Sequence, residues 1–321
     1  MISSVELALE RLKSNSTPNS RKDRYKLALC IEGGGMRGVV TGGMVAALER
    51  MGMRQVFDEI YGVSAGAFAG AFFLCGRASF GTTVYYEDVN SKDFFDPLRL
   101  LQFKAPVSIE FLTNEVLKHR KPLDFDAIKS SGVILCIVAT DVKSGAAILF
   151  DHFSDLDDLR LKLTATAKMP ILSGPPVVID GEQYLDGGLS AQFPHHLAAK
   201  RGATHVLSLV PRCSSWSITK KSYSEIILSM FVRQKGLGRV LHDRRSNIER
   251  DLTFLIENCG KTIDGTRYDS IFLSEGSARV DRLERRQEKL LEGMLSGARA
   301  VYDAFGQNDV YSFVSFDTVQ V

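Results

Sequence analysis

The chain has 321 residues, of which 45% are hydrophobic and 24% are charged, a composition typical of a globular protein with a sizeable core. Its formal net charge of +2 gives no overall basic surface, so bulk charge argues against a general nucleic-acid-binding role. The longest nearly uninterrupted apolar run, residues 65–76, is too short to cross about 30 Å of hydrocarbon as a helix, and we expect no transmembrane segment.

Residues 1–25 form a polar N-terminal extension, which the sequence predicts to be a short helix followed by a mobile linker. Glu6 and Glu10 occupy positions where a signal peptide would need an apolar region. Position 2 also lacks the glycine that myristoylation requires. We therefore expect a cytoplasmic protein, with any membrane contact being peripheral.

Between residues 26 and 211, short apolar runs rich in β-branched residues alternate with helical patterns. The predicted strands are residues 26–31, 56–63, 132–140, 146–150 and 204–210, and the predicted helices are residues 39–51, 65–75, 109–119 and 194–201. Apolar strands interleaved with helices favour a mostly parallel sheet that is covered on both faces, which is an α/β fold.

Residues 212–321 form a mostly helical C-terminal part that we expect to pack on this core. A strand-like run covers 268–273, and a long helix is predicted from about 278 to 305. Apolar residues recur near helical spacing in that helix, so one of its faces is expected to dock on the sheet.

The stretch IEGGGMRG joins the first predicted strand to the first core helix and spells G-x-G-x-x-G through Gly33, Gly35 and Gly38. Between a strand and a helix this spacing is the dinucleotide-binding fingerprint, which also needs an acidic residue about 20 positions further on, at the end of the next strand. Asp58 and Glu59 lie near that distance, but the apolar pattern continues past both. Dinucleotide binding is therefore a remote alternative.

A second element follows in YGVSAGAF, where Gly62, Ser64 and Gly66 form G-x-S-x-G between a predicted strand and a predicted helix. This is the setting of a nucleophile elbow, in which a sharp turn with small neighbours such as Ala65 leaves the serine hydroxyl exposed at a helix N-terminus. The free N–H groups at that terminus favour a nearby oxyanion. Ser64 is therefore a candidate nucleophile.

If the serine is a nucleophile, the glycine loop can serve a purpose other than nucleotide binding. The backbone N–H groups of Gly33, Gly34 and Gly35 can approach an oxyanion closely because no side chain intervenes. Arg37 would add a fixed positive charge beside them or brace the loop. The candidate oxyanion hole therefore comprises these glycines with Arg37 and Gly38.

An acyl-transfer site also needs a base that takes the serine proton, and the sequence offers two sources. One is a carboxylate, because Asp186 precedes Gly187 and Gly188 in a tight turn after a short predicted hairpin. Asp-Gly is also a common turn dipeptide without any catalytic role. The other source is a histidine in the chain order of a Ser-His-Asp arrangement. The candidates are His195, His196, His205 and His242.

Three segments, EGGGMRG, GVSAG and DGG, occur in this order and at these separations in the patatin-like phospholipases, and the chain resembles that family at all three. The resemblance covers about residues 26–210, and the terminal run RVDRLERRQEKLLEGM is similar to the tail of some bacterial members. It implies a patatin-like catalytic core over 26–211, folded as a three-layer α/β/α sandwich with a mostly parallel central sheet and a helical C-terminal extension.

For the site, the resemblance implies a catalytic dyad without histidine, with Ser64 as the nucleophile and Asp186 as the base that activates it. The backbone around Gly34 and Gly35 would donate to the oxyanion, and Arg37 stands in the family's usual basic position. The implied activity is hydrolysis of acyl esters of phospholipids, lysophospholipids or neutral glycerides. The histidine and cysteine spacings favour no metal site, and the resemblance implies no cofactor.

One segment departs from the family pattern. Many members carry an asparagine pair before the proline that follows the last motif, whereas Ala191, Gln192 and Phe193 precede Pro194 in this chain. The way in which the Asp186 loop is braced can therefore not be carried over from the family. The departure does not affect the two proposed catalytic residues themselves.

A lipid hydrolase must reach a lipid surface, and residues 212–250 hold nine Lys or Arg against three Asp or Glu. A basic amphipathic segment of this kind can lie on an anionic membrane, although a helix with a solvated basic face would show the same pattern. Residues 92–103 are a second candidate, for contact with acyl chains, with core packing as the alternative. The apolar residues of the first segment include Trp216, Ile226, Ile227, Leu228, Met230, Phe231 and Val232.

Two alternatives stand beside a lipid acyl hydrolase with a Ser–Asp dyad. One is a Ser-His-Asp esterase, and the other is a catalytically silent lipid-binding or regulatory module that keeps the fold. The intact motifs argue against the silent module. The sequence specifies neither the head group, the acyl position and the chain length of a lipid substrate nor the oligomeric state, because these depend on surfaces that no motif encodes.

Overall fold

The structure, a computed structural model, describes residues 1–215 and 235–307. Within these ranges nine strands form one sheet. The strands are β1 (Leu27–Ile31), β2 (Glu59–Val63), β3 (Ile134–Asp141), β4 (Ala147–Phe150), β5 (Val177–Ile179), β6 (Glu182–Asp186), β7 (His205–Cys213), β8 (Lys261–Ile263) and β9 (Thr266–Leu273). The strands predicted in the core are confirmed, with boundaries that differ by up to three residues.

The sheet has a parallel centre and antiparallel edges. Its strand order is β5-β6-β3-β2-β1-β7-β9-β8, with β4 also paired to β3. Strands β3, β2, β1, β7 and β9 run parallel, whereas β4, β5, β6 and β8 join through antiparallel pairs. Ile31 of β1 lies in register with Gly62 of β2 and Leu209 of β7. The carboxyl ends of the central strands therefore meet at one edge of the sheet.

Helices cover both faces of this sheet. They are α1 (Ser4–Lys13), α2 (Gly38–Arg50), α3 (Ala65–Leu74), α4 (Ala78–Thr82), α5 (Val84–Glu87), α6 (Phe125–Ser130), α7 (Leu156–Ala167), α8 (His195–Lys200), α9 (Lys235–Glu257) and α10 (Gln287–Ala304), with a π-helix at Phe111–Arg120. None of the helices in the described ranges combines the length and the apolar character needed to cross a membrane.

Alternate side chains of β1 account for the three layers. Leu27, Leu29 and Ile31 pack with residues of α2, α3 and α10 on one face, whereas Ala28 and Cys30 pack with residues of α8 and α9 on the other. All five side chains are buried. A strand buried on both faces reads as a continuous apolar run, which is why the sequence there is LALCI. The predicted three-layer α/β/α sandwich with a mostly parallel central sheet is confirmed.

The C-terminal part contributes to the sheet as well as covering it. β9 pairs in parallel with β7, so the strand predicted at 268–273 is confirmed and belongs to the parallel centre. The start predicted for the last helix, residue 278, is wrong, because this helix begins at Gln287. The Glu284 carboxylate accepts the Arg286 N–H at 3.0 Å just before it. That side-chain contact takes the place of a helical carbonyl and keeps the preceding residues out of the helix.

The basic segment predicted for membrane contact, residues 212–250, is described in part. Trp216 and the apolar cluster at 226–232 lie outside the described residues. In α9, Leu241 and Ile248 are buried against the core, whereas Arg239 and Arg250 are exposed. This half of the segment therefore combines a packed apolar side with a solvated basic side.

The N-terminal extension packs on the core, so the expectation of a mobile linker is wrong. Arg11 in α1 is buried, and its guanidinium pairs with Asp23 and Asp58 at 2.8 Å. It also donates to the carbonyls of Val56 and Tyr25 at 2.7 Å. A buried charge is tolerated only when its partners are all in place. The linker is fixed because it supplies two of the four acceptor residues.

Replacing Arg11 by Met should therefore destabilise the fold by about 3 kcal/mol, because the variant removes the ion-pair partner of Asp23 and one of the two partners of Asp58. Chemical denaturation of the full chain, followed by circular dichroism, measures the change. Lys13→Met is the matched control, because Lys13 lies in the same helix and is exposed, and it should change stability by less than about 0.5 kcal/mol. Equal stability of Arg11→Met and the native chain would contradict the anchoring of the N-terminal segment by Arg11.

Candidate active site

Ser64 stands at the sharp turn between β2 and α3. Its backbone has φ 51° and ψ −124°, a conformation that residues with a side chain rarely adopt. The Ser64 N–H donates to the Thr166 hydroxyl at 2.9 Å, and that hydroxyl donates to the Val138 carbonyl. The strained turn is thus held by α7 and β3. Because α3 begins at Ala65, the serine has the strand-turn-helix setting that the sequence predicts.

Glycines on both sides of the serine allow the turn. A Cβ atom at Gly66 would lie 2.4 Å from the Ile31 carbonyl oxygen, and one at Gly62 would lie 2.4 Å from the Cα atom of Ala67. Both contacted atoms belong to the backbone, one at the end of a buried strand and one in α3. Neither atom can be displaced without a large cost in free energy. The elbow is therefore packed against the end of β1, where the glycine loop begins.

Asp186 ends β6 and lies in a tight, buried turn. Its carboxylate accepts the Gly188 N–H at 2.7 Å, and its carbonyl accepts the Thr140 hydroxyl at 2.8 Å. A Cβ atom at Gly187 would lie 2.2 Å from the Val138 carbonyl oxygen, so the turn sits directly on β3. The Asp-Gly-Gly segment is thus a packed part of the site, unlike an ordinary solvated turn.

The Ser64 hydroxyl lies next to the Asp186 carboxylate and favours its ionised form. Burial raises the pKa of Asp186 above its ordinary value, whereas the Gly188 N–H, the Ser64 hydroxyl and the charges on Arg244 and Arg282 oppose that rise. A carboxylate with a raised pKa is a better proton acceptor than an exposed one. The site therefore joins a hydroxyl to a poorly solvated carboxylate.

The glycine loop lies directly against the elbow. A Cβ atom at Gly33 would lie 2.6 Å from the Val63 carbonyl oxygen and 3.0 Å from the Ser64 Cβ, so this approach requires glycine. The N–H groups of Gly34 and Gly35 have no acceptor among the described residues. Both residues line the same cavity as the serine. Two backbone donors are therefore free to bind a group that enters this cavity.

The next residues hold the outer side of the loop. Gly35 has a left-handed φ of 57°, and a Cβ atom there would lie 2.7 Å from the Arg282 carbonyl oxygen. The Met36 N–H donates to the same oxygen at 3.0 Å. Gly38 begins α2, where a Cβ atom would lie 2.1 Å from the Tyr85 hydroxyl. The loop is thus fixed by α5 and by the C-terminal part.

A buried carboxylate anchors the start of the loop. Glu32 accepts hydrogen bonds from Arg37 at 3.1 Å, from Gln192 at 3.3 Å and from Arg212. The Gln192 amide also donates to the Gly33 carbonyl at 2.5 Å. Burial and the Arg212 charge lower the pKa of Arg37 to about 9, which leaves this guanidinium charged at neutral pH. Of the two roles weighed for Arg37, the contacts favour bracing of the loop through Glu32.

Ser64 and Asp186 open into a cavity of about 820 Å³. Its walls combine aromatic and aliphatic side chains with a group of arginines, and Phe94 and Phe95 of the stretch 92–103 belong to them. This volume lies in the upper part of the range of about 300–1,000 Å³ that is typical of pockets for small-molecule ligands. The arginines in the lining are Arg37, Arg212, Arg244, Arg245, Arg279, Arg282 and Arg285.

The histidines do not reach this cavity, since no histidine of the described residues lines it. His195 and His196 lie in α8, where burial lowers the pKa of both. His205 begins β7 at the opposite end of the sheet and hydrogen-bonds to the Ile2 carbonyl at 3.2 Å. His242 is exposed on α9. The geometry of the described residues therefore gives no support to a histidine base.

The acidic residues weighed for a dinucleotide also lie elsewhere. Asp58 and Glu59 stand at the start of β2, at the opposite end of that strand from the elbow. Asp58 pairs with Arg11 at 2.8 Å and Arg21 at 2.6 Å, and Glu59 pairs with Lys26 at 2.8 Å. In the part of the chain that the structure describes, no three His, Cys, Asp or Glu side chains assemble into a metal-binding group.

Several residues that support the site lie outside the three sequence motifs. Gln192 differs from the asparagine expected near that position, yet its side chain holds the Gly33 carbonyl. Arg244 donates to the Gly188 carbonyl at 2.8 Å, and the Arg282 carbonyl accepts from the glycine loop. The two arginines come from the C-terminal part, which the motifs do not cover. The departure at Gln192 is the signal that could have directed attention to the loop support.

Comparison with known proteins covers the same part of the chain. A family model described as patatin-like phospholipase matches residues 29–199, more than half of the chain. The uncharacterized protein YjjU of Escherichia coli (strain K12) is 29% identical over 183 residues, which cover 56% of this chain and 50% of that protein. The neuropathy target esterase sws of Drosophila melanogaster is 26% identical over 204 residues, which cover 60% of this chain and 14% of that protein. The chain thus spans at most about half the length of these curated relatives.

A solved structure of human GIVD cytosolic phospholipase A2, in complex with a methyl gamma-linolenyl fluorophosphonate inhibitor and terbium chloride, also matches. It aligns with 97% of this chain over 62% of its own length, with a TM-score of 0.46 and 11% sequence identity. A likeness at this level carries no argument about function, and the fold assignment rests on the sheet and its layers.

Asp186→Asn should raise the melting temperature at neutral pH. The folded-state pKa of Asp186 lies above its ordinary value, so folding favours the protonated carboxyl, and that contribution is lost as the pH rises through the raised pKa. At neutral pH the buried charge therefore costs stability, and the neutral amide removes that cost. The difference in melting temperature should become smaller as the pH falls towards the ordinary carboxyl pKa, because Asp186 in the native chain is then neutral as well.

Differential scanning calorimetry of both chains between about pH 3 and pH 8 measures this difference. Asp93→Asn is the control, because Asp93 is exposed, and its substitution should leave the Tm nearly unchanged across this range. The raised pKa would be contradicted if Asp186→Asn had a lower melting temperature than the native chain at neutral pH and the difference stayed the same in acid.

Proposed function

The chain belongs to the patatin-like phospholipase family, and we propose that it is a serine acyl hydrolase that cleaves carboxylic esters of lipids. It would act as a phospholipase A, a lysophospholipase or a lipid esterase. One observation carries the proposal: the Ser64 hydroxyl and the buried Asp186 carboxylate line the same cavity, and the hydroxyl lies close enough to favour the ionised carboxylate. That pair opens into a large cavity together with two backbone donors that no described residue uses.

In the first step Asp186 accepts the proton of the Ser64 hydroxyl while the serine Oγ attacks the ester carbonyl carbon. The electron pair of the carbonyl moves to its oxygen, and the N–H groups of Gly34 and Gly35 stabilise that negative charge. Collapse of the tetrahedral intermediate breaks the bond to the alcohol, which takes the proton from Asp186. The acyl group is left on Ser64 as an ester.

Hydrolysis of this acyl-enzyme uses the same groups in the same roles. Asp186 accepts a proton from water as the water oxygen attacks the acyl carbon, and the glycine loop again holds the oxyanion. Collapse returns the proton to the Ser64 Oγ and releases the fatty acid. Protons and electron pairs balance over the two steps, and neither step requires a metal or a cofactor.

The contacts of the loop explain how its donors would be aimed. The Gly33 carbonyl and the Gly34 N–H belong to one planar peptide group and point in opposite directions. Since the Gln192 amide fixes the Gly33 carbonyl, it also fixes the opposite direction of the Gly34 N–H, and Gly34 lines the cavity. Donors that are positioned before the reaction cost no reorganisation when the charge appears. Gln192 is thus a positioning residue of the proposed oxyanion hole.

The cavity supports a lipid as the substrate. Phe68, Phe72, Phe94 and Phe95 lie in its walls, and such side chains bury acyl chains favourably. Arg282 lines the same cavity and adds a positive charge to it. An apolar space that also holds such a cation suits an ester with a long acyl chain and a negatively charged group.

For the cellular setting we propose a cytoplasmic protein that contacts anionic membrane through residues 212–250. The described half of this segment supports the proposal, because Arg239 and Arg250 are exposed on α9 while its apolar side is buried. Basic residues near an anionic surface contribute on the order of 1 kcal/mol each. No feature of the described residues calls for a nucleic-acid partner.

Ser64→Ala and Asp186→Asn should each reduce kcat/KM for a chromogenic acyl ester by roughly 10³-fold or more, because the nucleophile and its base act as one unit. The double variant should be little worse than either single variant, for the same reason. Initial rates on a soluble short-chain ester, with folding checked by circular dichroism, measure the effect. Nearly full activity in either variant would refute the dyad.

Substitution of the histidines is the matched control for a Ser-His-Asp mechanism. If Asp186 is the base, each variant should keep kcat/KM within a few fold of the native chain once it is shown to be folded. Loss of activity in one of them, with normal folding, would favour a histidine base instead. A native chain that hydrolyses no ester would favour the silent lipid-binding module. The variants are His195→Asn, His196→Asn, His205→Asn and His242→Asn.

The pH profile tests the electrostatic environment of the base. The charge on Arg282 lowers the pKa of Asp186, so Arg282→Met should move the acid limb of kcat/KM to higher pH. The shift should change little when salt is added to the assay, because salt screens an interaction with a buried carboxylate only weakly. Arg299→Met removes an exposed charge from α10 and should leave the limb in place. If the acid limb of kcat/KM lies at the same pH in both variants, Arg282 does not act on the base.

A further inference from the structure

A short loop beside the cavity exposes several large apolar side chains together. It contains a 3₁₀ helix at Pro97–Gln102. Single exposed leucines are common on soluble proteins, but a contiguous exposed apolar patch marks an interaction surface. We call this patch the apolar tip. Its members are Leu98 with 63% of its surface exposed, Leu100 with 53%, Leu101 with 81% and Phe103, which is fully exposed.

The fold holds the apolar tip in this exposed state. The Asp96 carboxylate caps the 3₁₀ helix by accepting the Leu98 N–H at 2.9 Å. The Arg99 guanidinium turns back into the loop and donates to the Asp93 carbonyl at 2.9 Å. Phe103 adopts a left-handed φ of 55°, which is unfavourable for a bulky side chain. The polar groups thus stay within the loop while the apolar side chains point outward.

The apolar tip continues the lining of the cavity to the surface. Phe94 and Phe95, which precede the tip in the same loop, line the cavity. Leu283 lines it from the C-terminal part and is 60% exposed. The Arg285 guanidinium lies over the Phe95 ring, 5.8 Å from its centroid, and so joins the two segments at the cavity mouth. Apolar side chains therefore form a path along this loop, from the exposed tip to Phe94 and Phe95 in the wall of the cavity that holds the serine.

Basic residues outnumber acidic residues in the two segments that carry this path. Residues 92–104 and 279–286 together hold seven Lys or Arg and four Asp or Glu. Lys92, Lys104 and Arg279 are exposed. Apolar side chains that project between exposed cations match the interface of an anionic bilayer, where the apolar groups enter the acyl region and the cations meet the head groups.

We propose that the apolar tip inserts into the surface of an anionic lipid bilayer and places the cavity mouth against it. The bilayer is the partner that uses both features, because the apolar path allows a lipid to enter the cavity without crossing water. This surface is distinct from the proposed membrane segment 212–250. The inference rests on the proposed function, since it assigns the tip to delivery of the lipid substrate.

Vesicle co-sedimentation of the full chain carrying Ser64→Ala tests the tip without turnover of the lipid. Combined Leu101→Ser and Phe103→Ser substitutions should weaken binding to phosphatidylcholine vesicles containing phosphatidylglycerol by roughly tenfold or more. Ile134→Ser is the matched control, because Ile134 is 42% exposed but pairs with Glu59 at the far end of the parallel strands. It should leave binding unchanged. Unchanged binding of the tip variant would overturn the proposal.

A second measurement compares two substrates for the chain that keeps its serine. The tip variant should hydrolyse a soluble short-chain ester at the native rate and a phospholipid in vesicles several fold more slowly, because the tip lies outside the cavity lining. Equal losses on both substrates would overturn the proposal, since the tip would then act through the fold or the cavity.

Two further outcomes distinguish membrane insertion of the tip from loss of catalysis and from dimer formation. If the native chain hydrolyses no ester, the proposed function fails, whereas vesicle binding still decides the role of the tip. If light scattering shows a native dimer that the tip variant dissociates, with vesicle binding unchanged, the tip is a contact between two copies of the chain. That result would overturn the bilayer as its partner.

Discussion

The site depends on holding one carboxylate in a buried position where it remains able to take a proton. Burial favours the neutral form of Asp186, and the Gly188 N–H, the Ser64 hydroxyl and two arginine charges favour the ionised form. Burial outweighs the other contributions, so the pKa is raised. A carboxylate held by a strong ion pair would have a depressed pKa and would be a weaker base. The balance at Asp186 is the one that a direct proton acceptor for a serine requires.

Close backbone contacts on three neighbouring strands create the geometry around that carboxylate. Gly66 meets the end of β1, Gly33 meets the end of β2, and Gly187 meets β3, each at a distance that a side chain would not allow. The three glycine segments that stand far apart in the sequence are therefore the three places where turns rest on adjacent parallel strands. A substitution at any of them would displace strand backbone together with a proposed catalytic group.

The sequence predicts the parts of this arrangement that depend on local patterns. Apolar runs located the strands, and motif order brought Ser64 and Asp186 together in one hypothesis. It does not predict supports that depend on tertiary contacts, such as Gln192 under the glycine loop and Arg282 beside Asp186, because no spacing rule connects them to the motifs. It also places the last helix too early and treats the N-terminal linker as mobile. Both errors arise where side-chain hydrogen bonds, as at Arg11, override the local pattern.

The cavity that holds the proposed dyad is also lined by apolar side chains and arginines. The proposed reaction and the entry of the substrate therefore share one cavity. The proposed chemistry requires that Ser64 is the group that becomes acylated. Mass spectrometry after reaction with a fluorophosphonate tests this requirement most directly. We expect one phosphonyl group on the peptide that contains Ser64, slower labelling of Asp186→Asn and none of Ser64→Ala. A labelled residue elsewhere, or an unlabelled chain that still hydrolyses esters, would contradict it.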